Sequence, residues 1–206
     1  RKEKNCQHWT VPYLPIDPED VGRVYEADVI RINSQSGKGG IGYILENQFG
    51  IIMPPNMRET VGYLVKNVSD NAHRELMPSE VYNVFEKTFI NKQSPVSLKE
   101  AHYVQKDGIE ADVTIEYNGE IINEKAHGNG RLNAVSVCMK KMLGIEYVLH
   151  TYTEHAMEEK ATSKAVSYVG IKDNNGKNFW GVGIATDIID SSLKALVSAV
   201  NNMIED

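Results

Sequence analysis

Ile109, Ala111, Val113, Ile115 and Tyr117 alternate strictly with Glu110, Asp112, Thr114 and Glu116, and the run stops at Asn118-Gly119. A period of two places the five apolar residues on one face of a strand and the four polar ones on the other. Asn-Gly favours the positive φ that a two-residue hairpin needs, so a second strand is predicted over 120–128. Leu132, Val135, Met139 and Met142 then recur at helical spacing and stop at Gly144, a residue suited to a left-handed C-cap. The apolar face of the hairpin and the apolar stripe of the helix must bury each other.

The same order then returns. Residues 146–155, 163–172 and 178–185 read as strands, the last two joined by Asp173-Asn174-Asn175-Gly176, and Leu193, Leu196, Val197, Val200 and Ile204 mark one face of a closing helix. With the period-two pattern beginning after Pro95, the second half of the chain reads as two tandem βββα units with pseudo-twofold symmetry in an α+β fold. Such a duplication favours a site shared between the copies.

The first half differs. Pro12, Pro15 and Pro18 each fix φ and push the preceding residue out of the helical region, so an extended strap carries Tyr13. Val24 to Asn33 reads as a strand, and Gly37, Gly39 and Gly40 lead into a short helix over 41–45. Met57, Val61, Leu64, Val65 and Val68 mark a longer helix. Another starts at Met77-Pro78, with Ser79 as the expected cap and Val81, Val84, Phe85 and Phe89 on its apolar face. Two units are expected, a mainly helical one over 1–92 and the duplicated one over 93–206.

With 206 residues, 41% of them hydrophobic, the chain can bury one core or two small ones. Its net charge of -6 comes from scattered acids and lysines, which argues against nucleic acid as a partner. No apolar run reaches the ~20 residues of a membrane span, and the first residues lack the apolar core of a signal peptide. Cys6 and Cys138 have no CxxC spacing and read as free thiols. A soluble, cytoplasmic protein without membrane contact is expected. An initial Arg is what a piece of a longer polypeptide would show.

Several groupings invite chemistry. Gly37-Lys38-Gly39-Gly40 lacks the spacing of a phosphate loop, so a tight turn capped by Ser34 or Ser36 is the better reading. His150, Glu154 and His155 suggest a metal, but on a regular strand the two histidines point to opposite faces, so none is expected. Gly128-Asn129-Gly130 is different: a strand turning there into a helix leaves free N–H groups at the positive end of a dipole, suited to a carboxylate. Leu132, Leu149, Tyr152, Ala156 and Ala165 then form a candidate apolar pocket. Residue types alone favour a plain turn with Tyr152 filling the core.

Val11-Pro12-Tyr13-Leu14-Pro15-Ile16-Asp17-Pro18-Glu19-Asp20-Val21-Gly22-Arg23 and Ile32-Asn33-Ser34-Gln35-Ser36-Gly37-Lys38-Gly39-Gly40 resemble the segment after the catalytic barrel in 2-isopropylmalate synthases of the long form. Gly128-Asn129-Gly130 and Tyr152-Thr153-Glu154-His155-Ala156 are similar to that family's leucine site. The resemblance implies a C-terminal fragment, a post-barrel linker followed by a leucine-sensing domain that forms a homodimer. In the intact family enzyme the barrel condenses acetyl-CoA with 2-oxoisovalerate using a divalent metal, Mg or Mn, held by an HxH pair absent from this chain. The fragment would then be inactive alone and have no cofactor of its own, and Tyr13 would be catalytic only beside that barrel. The implied leucine-binding residues are Gly128, Gly130, Leu132, Asn133, Leu149, Tyr152, Ala156, Ser163 and Ala165. Asn133 and Ser163 stand where relatives commonly carry alanine, which implies a more polar pocket. The alternatives are the regulatory region of a citramalate or homocitrate synthase, with isoleucine or lysine as effector, and a freestanding amino-acid-binding module.

Overall fold

The computed structural model describes residues 18–22, 38–157 and 163–206. Two compact units are formed by 1–30 and 31–206. Of the first, a short 3-10 turn, Pro18–Val21, is described. Tyr13 and the expected strand over 24–33 lie outside the described residues.

In the second unit, α1 (Lys38–Phe49), α2 (Met57–Ala72) and α3 (Pro78–Phe89) come first. The expected short helix is a full 12-residue one that runs straight through Gly39, Gly40 and Gly42. Burial outweighs the low helical propensity of those glycines, because Ile41, Ile44 and Leu45 are almost wholly enclosed. Ser79 is not the cap of α3. Met77 takes that place, Pro78 fills the first helical position, and Glu80 reaches back to accept from the Met77 N–H at 2.9 Å.

Two antiparallel sheets follow. The first holds β1 (Val96–Gln105), β2 (Ile109–Tyr117) and β3 (Glu120–Gly128), covered by α4 (Arg131–Leu143). The second holds β4 (Tyr147–Ala156), β5 (Ala165–Asp173) and β6 (Asn178–Ala185), covered by α5 (Ile188–Ile204). The two βββα units are therefore as the periodicity indicates. Their likeness extends to a defect: the register slips between Leu98 and Glu100 in β1 and between Leu149 and Thr151 in β4, at the same place in each repeat.

Both units share one core. Val113, Ile115, Val135 and Met139 of the first join Val169, Ile171, Leu196 and Val200 of the second. Asn201, buried in α5, fastens them together. Its amide oxygen accepts from Val96 N at 2.7 Å, and its nitrogen donates to Val96 O at 2.8 Å and Lys92 O at 3.0 Å. The approach of α5 to β6 is so close that a Cβ on Gly183 would fall 1.7 Å from Ser191 O.

Behind the second sheet lies the helical region. The Asn91 N–H donates to Val182 O at 2.9 Å, and the Asn91 side chain brackets Ile184 by donating to its carbonyl at 3.1 Å and accepting from its N–H at 2.9 Å. Val166, Tyr168, Trp180 and Val182, on the face away from α5, are accordingly buried.

Candidate functional site

A cavity of about 510 Å³ opens where α4 and α5 both begin, lined by residues 129–133, Leu149, Tyr152, Ile189, Ser192 and Leu193. Its walls are mostly aliphatic, and its polar groups gather at the helix ends. The two helix starts differ. At α5, Asp187 is the N-cap, and its carboxylate accepts from Ile189 N at 2.9 Å and Asp190 N at 3.0 Å. At α4, Gly130 takes that position in extended conformation with no side-chain cap. The first N–H groups of α4 are left facing the cavity without the carboxylate that α5 carries in its own sequence.

Local sequence explains the geometry. Gly128 ends β3 where a Cβ would lie 2.5 Å from Ala134 N, so only glycine lets the strand fold back under the helix. Gly130 has open space around it. The Asn133 side chain turns inward on the turn itself and accepts from Asn129 N at 3.2 Å. Arg131 rests its guanidinium over the Tyr103 ring, 5.4 Å from the centroid.

Tyr152 forms the opposite wall. Its hydroxyl donates to the Glu154 carboxylate and lies 2.8 Å from Ser192 Oγ, itself close to Ser167 Oγ at 3.4 Å. Burial, then the bond to Glu154, pushes the Tyr152 phenol up, so it stays a neutral donor.

Of the nine residues named from sequence, the cavity brings together Gly130, Leu132, Asn133, Leu149 and Tyr152. Gly128 supports the turn behind them. Ala156 and Ala165 are ladder partners farther along the same sheet, and Ser163 precedes β5; none of the three is among the lining residues. Sequence reasoning missed Ile189, Ser192 and Leu193. The signal was the duplication itself, because the first turn of α5 is the repeat equivalent of the first turn of α4.

The histidines sit otherwise than expected. The register slip at His150 puts it on the same face as His155: His150 meets Trp180 edge-on at 5.4 Å, and His155 stacks on Tyr168 at 5.6 Å. No group of three His, Cys, Asp or Glu among the described residues is placed to hold a metal ion. Cys138 is free and buried, and burial, then Glu124, pushes its thiol up to about 11. Among the described residues no helix is long and apolar enough to cross a membrane.

Residues 75–204, from just before α3 to the end of α5, match the LeuA allosteric (dimerisation) domain. The chain belongs to the LeuA domain family. Residues 1–46 match a second family, described as the alpha-isopropylmalate synthase post-catalytic domain-like family. Relatives resemble this chain over nearly its whole length. One named 2-isopropylmalate synthase, from Desulfitobacterium hafniense, is 50% identical over all 206 residues, which cover 37% of that protein. Two others of the same name, from Helicobacter hepaticus and Corynebacterium glutamicum strain R, are 44% and 39% identical over 98% and 99% of the chain, covering 38% and 33% of their own lengths. The chain thus spans about a third of the length of the relatives it matches.

Proposed function

We propose that this chain is the C-terminal regulatory portion of a 2-isopropylmalate synthase and that free leucine occupies the cavity at the start of α4. The observation that carries the reading is the difference between the two helix starts: Asp187 fills one, and Gly130 leaves the other open beside an aliphatic cavity. A leucine carboxylate would take the place at α4 that Asp187 takes at α5. Its side chain would lie among Leu132, Leu149, Ile189 and Leu193, and Glu154, held by Tyr152, offers a negative charge for its ammonium. Ala156, Ser163 and Ala165 stay in the proposal as residues that a bound state draws nearer.

In the intact enzyme, residues 1–92 would link the sensing domain, 93–206, to a catalytic barrel, and Tyr13 would act in the active site that joins acetyl-CoA to 2-oxoisovalerate. The divalent metal, Mg or Mn, is assigned to that barrel. The chain alone is inactive, forms a homodimer and works in the cytoplasm as a leucine feedback sensor. Coupling of this kind is typically worth ~1–3 kcal/mol.

Calorimetric titration of the chain with leucine, isoleucine and lysine tests the reading. Leucine should bind and lysine should not. Gly130→Asp, at a position of open space and extended backbone, gives α4 its own cap. It should weaken leucine at least tenfold while the thermal midpoint is kept or raised. Equal leucine affinity in Gly130→Asp and wild type would remove leucine from this cavity. Release of CoA by the chain alone, given acetyl-CoA, 2-oxoisovalerate and magnesium, would contradict its inactivity.

A further inference from the structure

Strand β4 presents two different surfaces within four residues. Tyr152 faces the cavity, and His155, three residues and about 10 Å farther on, faces the loop between α1 and α2. The contacts of His155 fix its tautomer. Nδ1 lies 3.0 Å from the Ala156 carbonyl, which can only accept, so Nδ1 carries the proton. Nε2 is then the acceptor. It accepts at 3.0 Å from the hydroxyl of Tyr168, whose ring stacks on the imidazole, and shares with the Tyr168 oxygen the Ile52 N–H, which lies 3.4 Å from Nε2. Burial pushes the Tyr168 phenol up, which keeps that hydroxyl a neutral donor.

The other side of this joint is firm. Ile51 N donates to Leu45 O at 2.9 Å, and the Ile51 and Met53 side chains are buried, so the loop cannot move without α1. Gly50 lies against the residue that follows β4, since a Cβ there would be in van der Waals contact, 3.4 Å from Met157 O. The loop thus meets the end of β4 through the Gly50 backbone and through the His155 side chain, with the Tyr168 hydroxyl of β5 beside the same Ile52 amide.

We propose that His155 is a positioning residue that couples the effector cavity to the helical region, by tying the backbone of Ile52 to the strand whose other face holds Tyr152. The proposal rests on leucine as the cavity's ligand. An occupied cavity restrains Tyr152 and with it β4, and His155 passes that restraint to the α1–α2 loop.

The test uses the 206-residue chain labelled with 15N, with and without saturating leucine. Imidazole 15N shifts should report the Nδ1–H tautomer at His155, and leucine should slow exchange of the Ile52 amide at least threefold. His155→Phe keeps a ring for stacking but has no acceptor; its leucine Kd should stay within threefold of wild type, and the slowing at Ile52 should vanish. His155→Gln, with an oxygen near the Nε2 position, should restore at least half of it. An Nε2–H tautomer, a wild-type Ile52 amide indifferent to bound leucine, or a Phe variant that still transmits the slowing each overturns the proposal. Failure of leucine to bind the wild-type chain would overturn the reading of the cavity as well, whereas binding without a response at Ile52 would overturn the coupling alone.

Discussion

Asp112 and Tyr168 occupy the same place in the two repeats, and so do their ladder partners Lys125 and Val182. In the first sheet the pair is an ion pair of 2.9 Å on a wet face, flanked by Lys99–Glu116 and His127–Glu110. In the second sheet the pair is fully buried beneath the helical region. One repeat unit has thus been used once as a sheet with a solvent face and once as the middle layer of a three-layer stack. The covering helices follow suit, since α5 buries ten of its 17 residues and α4 five of its 13. A duplicated unit keeps its strand order and even its register slip, while burial decides which side chains its outward face can carry.

Exchanging residues between the equivalent positions is the sharpest way to break this comparison. Val182→Lys places a charge without a partner where no water reaches, and should cost about 4 kcal/mol or more, leaving the chain largely unfolded by circular dichroism. Lys125→Val, the reverse change, removes an exposed, solvent-screened pair and should leave the urea midpoint nearly unchanged. Similar costs for the two would mean that the sheets are not differently covered. Next in size is Gly183→Ala. Its methyl would overlap Ser191 O, and separating α5 from β6 should cost about 3 kcal/mol. The repeat-equivalent residue is Ala126, where the first sheet accommodates the methyl that the second cannot. Asn201→Ala, which orphans both backbone groups of Val96, should follow at about 2–3 kcal/mol.

How much of this the sequence reveals depends on which side of a strand is asked about. The alternation of 109–117 announces one wet face, and the structure keeps it. Strands 165–173 and 178–185 are apolar on both faces, which says that something covers each but not what covers the second. The cover comes from 38–91, and the contacts that hold it there, Asn91 on Ile184 and Ile52 on His155, join residues about a hundred positions apart. Periodicity is a local signal and is blind to them. The cavity was half legible for the same reason. Gly128 to Asn133 and Tyr152 stand out by type and spacing, but the α5 side of the wall consists of Ile189, Ser192 and Leu193, residues that look like ordinary helix until the two repeats are superposed in register. His150 was misplaced because a slip of one residue reverses a face, and no residue type marks such a slip.

That slip supplies the smallest expected effect. In the first repeat the slipped residue is Lys99, paired with Glu116 in the open; in the second it is His150, set against Trp180 behind the sheet. Burial, then the charge of Lys172, holds the His150 imidazole below its ordinary value. The unfolded chain therefore takes up this proton first as pH falls. Stability from the neutral ring is complete above the ordinary histidine value of about 6.5 and drains away as pH drops through the lower folded value. Between pH 7.5 and pH 5, the urea midpoint of the wild type should fall further than that of His150→Gln, whose side chain does not titrate; parallel curves would mean that the ring behind the second sheet is as well solvated as the lysine on the first.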